Sequence, residues 1–386
     1  MKKNKKLVIG IGIVALLGIV SVGVYNNPQQ AINGKVIRIG AILPLSGPVA
    51  SDGEEALIGM QIALDALRAR DDGCQYSLDV KDGKFEAMPS LNAYKLLVSE
   101  KADVIMSVGD VPCQMIQPLL EKDRKPAMAP MAASLQSINQ SAWMFRSWTS
   151  IEQIGKLMGR YLRKQGNAKT AAVFYIDTMY GVESYNAFSS EFMKEGCDVV
   201  AKDSFPYLAS DLRTSITKII KHNPDVVYIT GFGPTYIVAI NQFRELGYSG
   251  LIALDAAVVD PRVKKNIKNF RSLIFAGIAW DDELIGNEAS KEFAKAYESK
   301  TGRNAKDIPP QAPFSYFAVM TMVDAFMASG SFEETVSKLG AMRDVPSLIG
   351  RFSYNSEGEL YVPIYIKKFD DAGNSISIDK MLWKEF

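Results

Sequence analysis

From Val36 onward, short apolar runs alternate with longer amphipathic stretches, and this alternation restricts the chain to an α/β fold more tightly than any other feature in it. Val36–Leu43 reads as a buried strand and Gly53–Ala69 as a helix with Leu57, Met60, Leu64 and Leu67 on one face. Strands at Tyr76–Val80, Asp103–Val108 and Ala127–Pro130 are separated by helices at Pro89–Glu100 and Gln114–Lys122. Near Ser150 the rhythm restarts. Helices at Ile151–Gln165, Val182–Glu195, Asp211–His222 and Pro234–Leu246 alternate with strands at Thr170–Ile176, Val199–Ser204, Asp225–Thr230 and Leu251–Leu254, followed by Leu273–Ile278. Helices return at Glu288–Thr301, Pro313–Ser329 and Phe332–Leu339, and a strand pattern closes the series at Tyr361–Phe369. Strands joined by ~10–15-residue helices mean parallel sheets with right-handed crossovers. Two such runs predict two doubly wound α/β domains.

The N-terminus sets the compartment. Lys2, Lys3, Lys5 and Lys6 precede an uncharged apolar run, Leu7–Val24, which reads either as a cleaved export signal or as a retained membrane anchor. Either reading places the body outside the cytoplasm, because the lysine-rich end stays inside. Residues 25–34, with Pro28 and Gly34, read as a linker. Gly10, Gly12 and Ala15 match a dinucleotide-binding fingerprint. The match is spurious, because an uninterrupted apolar run provides no strand, turn and helix.

Composition removes several classes of function. The net charge of the whole chain is +1, and it falls to −3 without Lys2, Lys3, Lys5 and Lys6, so the body has no electrostatic footprint for nucleic acid. His222 is the single histidine, which leaves no basis for most zinc sites, and neither a metal nor a cofactor is expected. It falls between a helix and the amino end of the next strand, where it reads as a solvated C-terminal cap out of reach of Cys113. With Cys74, Cys113 and Cys197 the cysteine count is odd, so at least one thiol is unpaired within the chain.

In open parallel sheets, ligands sit beyond the carboxyl ends of the strands. Those ends carry Ser46–Pro48, Gly109–Gln114, Met131–Ser134, Asp177–Gly181, Gly231–Tyr236, Asp255–Val259 and Trp280–Asp282. Gly109–Gln114 runs into a helix N-terminus, where free N–H groups favour a carboxylate. Asp110 reads as a cap for that helix. Asp255 offers a negative charge to a cation, so the pair would grip a zwitterion. Tyr180, Phe232, Tyr236 and Trp280 are candidate aromatic walls.

At these residues the sequence resembles the branched-chain amino acid (Leu/Ile/Val) binding protein family of type I periplasmic solute-binding proteins. The likeness rests on Ile39–Pro48, on Gly53 and Gly59, on Gln117-Pro118 and Ala129-Pro130, and on Asp177 with Tyr180-Gly181. Asp225–Tyr228 and the series Phe352, Tyr354 and Gly358 complete it. The resemblance implies two doubly wound parallel-sheet lobes joined by a three-strand hinge, with lobe one at 35–147 plus 280–346 and lobe two at 148–279 plus 347–386. It also implies closure on a small ligand, an amino acid or a related amide or carboxylate, and delivery to the membrane permease of an ABC transporter. The family's contacts fall on Val111, Pro112, Cys113, Met131, Ala132, Ala133, Ser134, Tyr180, Phe232 and Asp255. Cys113 replaces a family serine, and the family threonine falls at Ala133 unless a one-residue gap brings in Ser134. Phe232 replaces a tyrosine. The family's disulfide partner is absent from Lys81–Phe85, leaving Cys113 a free thiol. Two other readings are a membrane-tethered ligand sensor and, ranked last, an enzyme using Cys113.

Overall fold

A computed structural model describes residues 34–277 and 287–381, so the segment Leu7–Val24 and the candidate wall residue Trp280 lie outside the described residues. The first half of the chain runs β1 (Val36–Leu43), α1 (Ala50–Arg68), β2 (Gln75–Asp82), α2 (Ala87–Ser99), β3 (Val104–Ser107), α3 (Asp110–Asp123), β4 (Ala127–Ala129) and β5 (Met144–Arg146). These strands form one sheet in the order β2-β1-β3-β4-β5, parallel throughout. Next come α4 (Ile151–Lys164), β6 (Thr170–Ile176), α5 (Met179–Lys194), β7 (Asp198–Phe205), α6 (Arg213–Ile220), β8 (Val226–Thr230), α7 (Gly233–Glu245), β9 (Leu251–Leu254), α8 (Pro261–Lys264) and β10 (Leu273–Gly277). Strands β7-β6-β8-β9-β10 repeat the same doubly wound order in a second parallel sheet.

The remaining elements are α9 (Glu288–Thr301), α10 (Gln311–Met327), α11 (Phe332–Gly340), β11 (Val345–Ser347), β12 (Gly350–Tyr354), β13 (Leu360–Tyr361), β14 (Ile364–Phe369) and β15 (Ser375–Met381). Strands β14 and β15 add to the second sheet in antiparallel fashion, while β11-β12-β13 form a small antiparallel sheet of their own. The small sheet packs against the first lobe. Phe352 stands edge-on to Phe317, Tyr354 packs edge-on to Phe145, and Arg146 N–H donates to Gly358 O at 2.8 Å. The chain therefore passes to the second sheet at Tyr361–Ile364, later than the 346/347 boundary read from the sequence.

The central strands of a parallel sheet covered by helices on both faces need apolar residues on both sides. This is why β3, β8 and β9 read as nearly unbroken apolar runs, while the edge strands β2 and β7 carry Asp and Lys. In β1, Ile39, Ala41 and Leu43 face the core made with α1 and α10, while Ile42 faces the one made with α2 and α3. Helices α1 and α10 approach so closely that a Cβ on Gly59 would lie 1.9 Å from the Ala312 carbonyl oxygen. No helix among the described residues is long and apolar enough to cross a membrane. No cluster of His, Cys, Asp and Glu among them is suited to a metal ion.

Candidate functional site

The two doubly wound sheets turn the carboxyl ends of their strands toward each other, and the loops there enclose a cavity of about 490 Å³. From the first lobe, the turn after β1 contributes Pro48 and Val49, the first turn of α1 Ser51 and Asp52, the start of α3 Asp110, and the loop after β4 Met131 and Ala133. Tyr180, Phe232, Gly233, Ala256 and Ala257 enter from the second lobe at the ends of β6, β8 and β9. The cavity thus straddles the switch points of both sheets, where strand order reverses.

Local chemistry shapes each loop. The Asp82 carboxylate accepts bonds from Leu45 N–H at 3.0 Å and Ser46 Oγ at 2.6 Å, fixing the turn that carries Pro48. Gly109 has φ +93°, and a Cβ there would strike the Phe85 ring at 2.3 Å, so glycine lets Phe85 lie over the start of α3. Contrary to the sequence reading, Asp110 does not cap α3, whose N-cap is Gly109. Asp110 occupies the first turn, and its carboxylate Oδ1 accepts from Ser134 N–H at 2.9 Å and Ser137 Oγ at 2.6 Å. Burial pushes its pKa up against those bonds.

Aromatic rings form much of the wall. Tyr180 and Phe232 meet edge to face with centroids 5.5 Å apart, Tyr207 lies 5.7 Å from Phe232, and Trp148 packs on Phe314 at 4.8 Å. Asp255 sits behind this wall, fully buried. Its carboxylate accepts from Thr230 Oγ1 (2.8 Å), Gly231 N–H (2.8 Å), Tyr180 OH (2.9 Å), Tyr236 OH (3.0 Å) and Ala257 N–H (3.0 Å). Burial raises the Asp255 pKa, with the bonds from Thr230, Gly231 and Ala257 opposing.

Of the ligand contacts that the family resemblance implied, Met131, Ala133, Tyr180 and Phe232 border the cavity. Val111, Pro112, Cys113, Ala132, Ser134 and Asp255 are not among its lining residues. Cys113 points into the core, donating to Ser107 O at 3.0 Å, and burial pushes its pKa up to about 12. Ser134 is buried, and its hydroxyl donates to Glu183 Oε1 at 2.7 Å. His222 is exposed in the turn after α6, as its sequence position suggested.

Bonds join the lobes on both flanks of the cavity. Glu183 of α5 holds Ser134 and also accepts from Leu135 N–H at 2.9 Å. Opposite, Arg262 Nη2 donates to Asp52 Oδ1 at 2.5 Å and also pairs with Asp260. Gln311 Nε2 bridges Asp52 Oδ1 (3.2 Å) and Asp260 Oδ2 (3.3 Å). Burial works to lower the Arg262 pKa, but the two carboxylates outweigh it and hold the value above normal. Sequence reasoning missed Asp52, Phe85, Trp148, Thr149, Tyr207, Asp260, Arg262 and Gln311. The one local signal was Asp260-Pro261, an N-cap followed by a first-turn proline.

A family model described as periplasmic binding protein matches residues 36–374, nearly the whole described chain. The chain belongs to the periplasmic binding protein family. Within it, the resemblance to type I, branched-chain amino acid family members holds. This periplasmic binding protein is 24% identical over 340 residues to the Leu/Ile/Val-binding protein BraC3 of Rhizobium johnstonii, covering 84% of this chain and 89% of that one. Its fold superposes with a TM-score of 0.80 on a leucine binding protein, LivK, from Thermotoga maritima, at 22% identity over 91% of this chain and 100% of the other. An ABC transporter solute binding protein from R. palustris, in complex with 4-hydroxybenzoate, superposes with a TM-score of 0.79 at 18% identity, covering 90% and 97%.

Proposed function

We propose that this chain is an exported solute-binding protein that closes its two lobes on one small solute of about amino-acid size and delivers it, chemically unchanged, to the permease of an ABC transporter. The observation that carries this reading is the cavity of about 490 Å³ between two sheets, walled by aromatic side chains and bridged on both flanks by interlobe bonds. Its volume suits a small organic ligand. The relatives are named for Leu, Ile and Val or were captured with 4-hydroxybenzoate, ligands with an apolar body and a polar head. Family membership supports export. In this reading 35–147 with 280–361 form one lobe, and 148–279 with 362–386 the other. The fully buried Asp255 acts by holding Tyr180 in the wall, and Met131, Ala133 and Phe232 touch the solute directly.

The Cys113 thiol, neutral and turned into the core, does not favour the enzyme reading. A thermal-shift screen of amino acids, amines, amides and organic acids, followed by scattering with any hit, tests the proposal. The hit is expected to raise the melting temperature with concentration and to shrink the radius of gyration. Its recovery as a different compound would sink the transport reading.

A further inference from the structure

The charged groups that border the cavity are mostly carboxylates. Three carboxylates border it, Asp52, Asp110 and Asp260, against one guanidinium, Arg262, which is already bonded to Asp52 and Asp260. Gln311 turns its amide nitrogen to those same two carboxylates, so its oxygen is left as an acceptor. That Oε1 is buried with no partner, on a side chain from a residue only 8% exposed. Thr149 Oγ1, also on the cavity, is fully buried and without a partner. Such orphaned groups are costly unless a ligand supplies the missing bond, and Gln311 Oε1 can only receive a donor.

The place where an anion would bind is occupied. The first turn of α3 carries the Asp110 carboxylate, whose Oδ1 accepts from Ser134 N–H and Ser137 Oγ. A second carboxylate beside it would meet like charge at low dielectric. On α3 and in the loop after β4, the side-chain donors that could offset this are absent or committed. Position 133 is alanine, the Cys113 thiol donates to Ser107 O, and Ser134 Oγ donates to Glu183. Around the cavity, Phe85, Trp148, Tyr207 and Phe232 present π-systems, which attract cations.

We propose that the cleft selects a small organic cation, a primary ammonium on an aromatic or branched aliphatic body, and discriminates against a free carboxylate on that same body. The ammonium sits between Asp110, Gln311 Oε1 and Thr149 Oγ1, and the body lies among the rings. This rests on the solute-binding reading above and names its ligand class.

The test is calorimetry on the full-length protein with two matched series: 2-phenylethylamine, phenylalanine and 3-phenylpropionate, then 3-methylbutylamine, leucine and 4-methylpentanoate. In at least one series the amine is expected to bind ten-fold or more tighter than both the amino acid and the acid. Asp110→Asn, which keeps the shape of the side chain, should weaken the amine by a similar factor. The wild-type series decides the matter even if that variant folds poorly. An amino acid or acid that binds as tightly as its amine overturns the cation assignment and leaves solute binding standing. If no compound in either series binds and scattering shows no compaction, both readings fall.

Discussion

Asp255 follows β9 directly, and five donors converge on its buried carboxylate, three of them hydroxyls from Thr230, Tyr180 and Tyr236. Removing that acceptor strands buried donors, and each unsatisfied group costs about 1–3 kcal/mol. Asp255→Ala is therefore expected to lower stability by about 3 kcal/mol or more in urea unfolding. A carboxylate that served only the ligand would instead cut affinity and leave the unfolding midpoint in place. Cys113 supports a second expectation at this scale. With its pKa pushed up to about 12 by burial, only about one thiol in ten thousand is ionised at pH 8, and the thiolate is the reactive form. Iodoacetamide at pH 8 should label the partly exposed Cys74 on the native protein and reach Cys113 only after denaturation, as peptide mass mapping would show.

Strand β5 is three residues long, yet it carries the side chain that ties the crossover region together. Arg146 is fully buried, with Nε and Nη2 each 2.9 Å from the Glu359 carboxylate, and it also donates to the carbonyls of Ala132 and Ser134. Breaking a buried pair from one side leaves an uncompensated charge, typically about 3–5 kcal/mol. Arg146→Met should cost roughly that much in denaturant unfolding, and adding Glu359→Leu should recover a good part of it. The sequence does not announce β5, because three residues cannot show a period. By contrast β1 and β6 were legible to their ends, as both are long and mostly apolar, with Arg38 the one charged residue in either. Helix α3 starts at Asp110 rather than Gln114, since Pro112 is tolerated in a first turn that has no intrahelical N–H partners to lose. The run Tyr361–Phe369 is broken at Pro363 into β13 and β14, and β15 escaped notice because its apolar residues, Ile376 and Ile378, face solvent. The site divides in the same way. Met131, Ala133, Tyr180 and Phe232 sit at strand ends that the α/β rhythm locates. Arg262 and Asp52 lie 210 residues apart, and Gln311 and Asp52 259 apart, so only the folded chain brings them together.

The Arg262–Asp52 pair bridges the two lobes beside the cavity, so under the proposed function it belongs to the closed arrangement, because opening would separate its partners. A solute shifts the balance between open and closed forms only by its difference in affinity for the two, and a pre-existing interlobe bond moves the starting point of that balance. The side chains of Arg262 and Asp52 are 30% and 25% exposed, so solvent screens the pair and its contribution is about 1 kcal/mol. That is about a five-fold change in the ratio of closed to open molecules. Arg262→Ala is expected to enlarge the radius of gyration of the solute-free protein in small-angle scattering and to weaken solute binding several-fold. The saturated complex should keep its wild-type dimensions, since the solute then bridges the lobes. Arg262 also borders the cavity, so a loss of affinity alone would be ambiguous between a direct contact and a shift in lobe closure. The dimensions of the solute-free form separate the two, because a pure contact residue leaves them unchanged. Raising the salt to about 1 M shortens the Debye length to about 3 Å and should move the wild-type protein toward the dimensions of the variant. If the two proteins scatter identically without solute at low salt, the pair is no latch, and the Glu183 bonds to Ser134 and Leu135 on the opposite flank carry the interlobe preference instead.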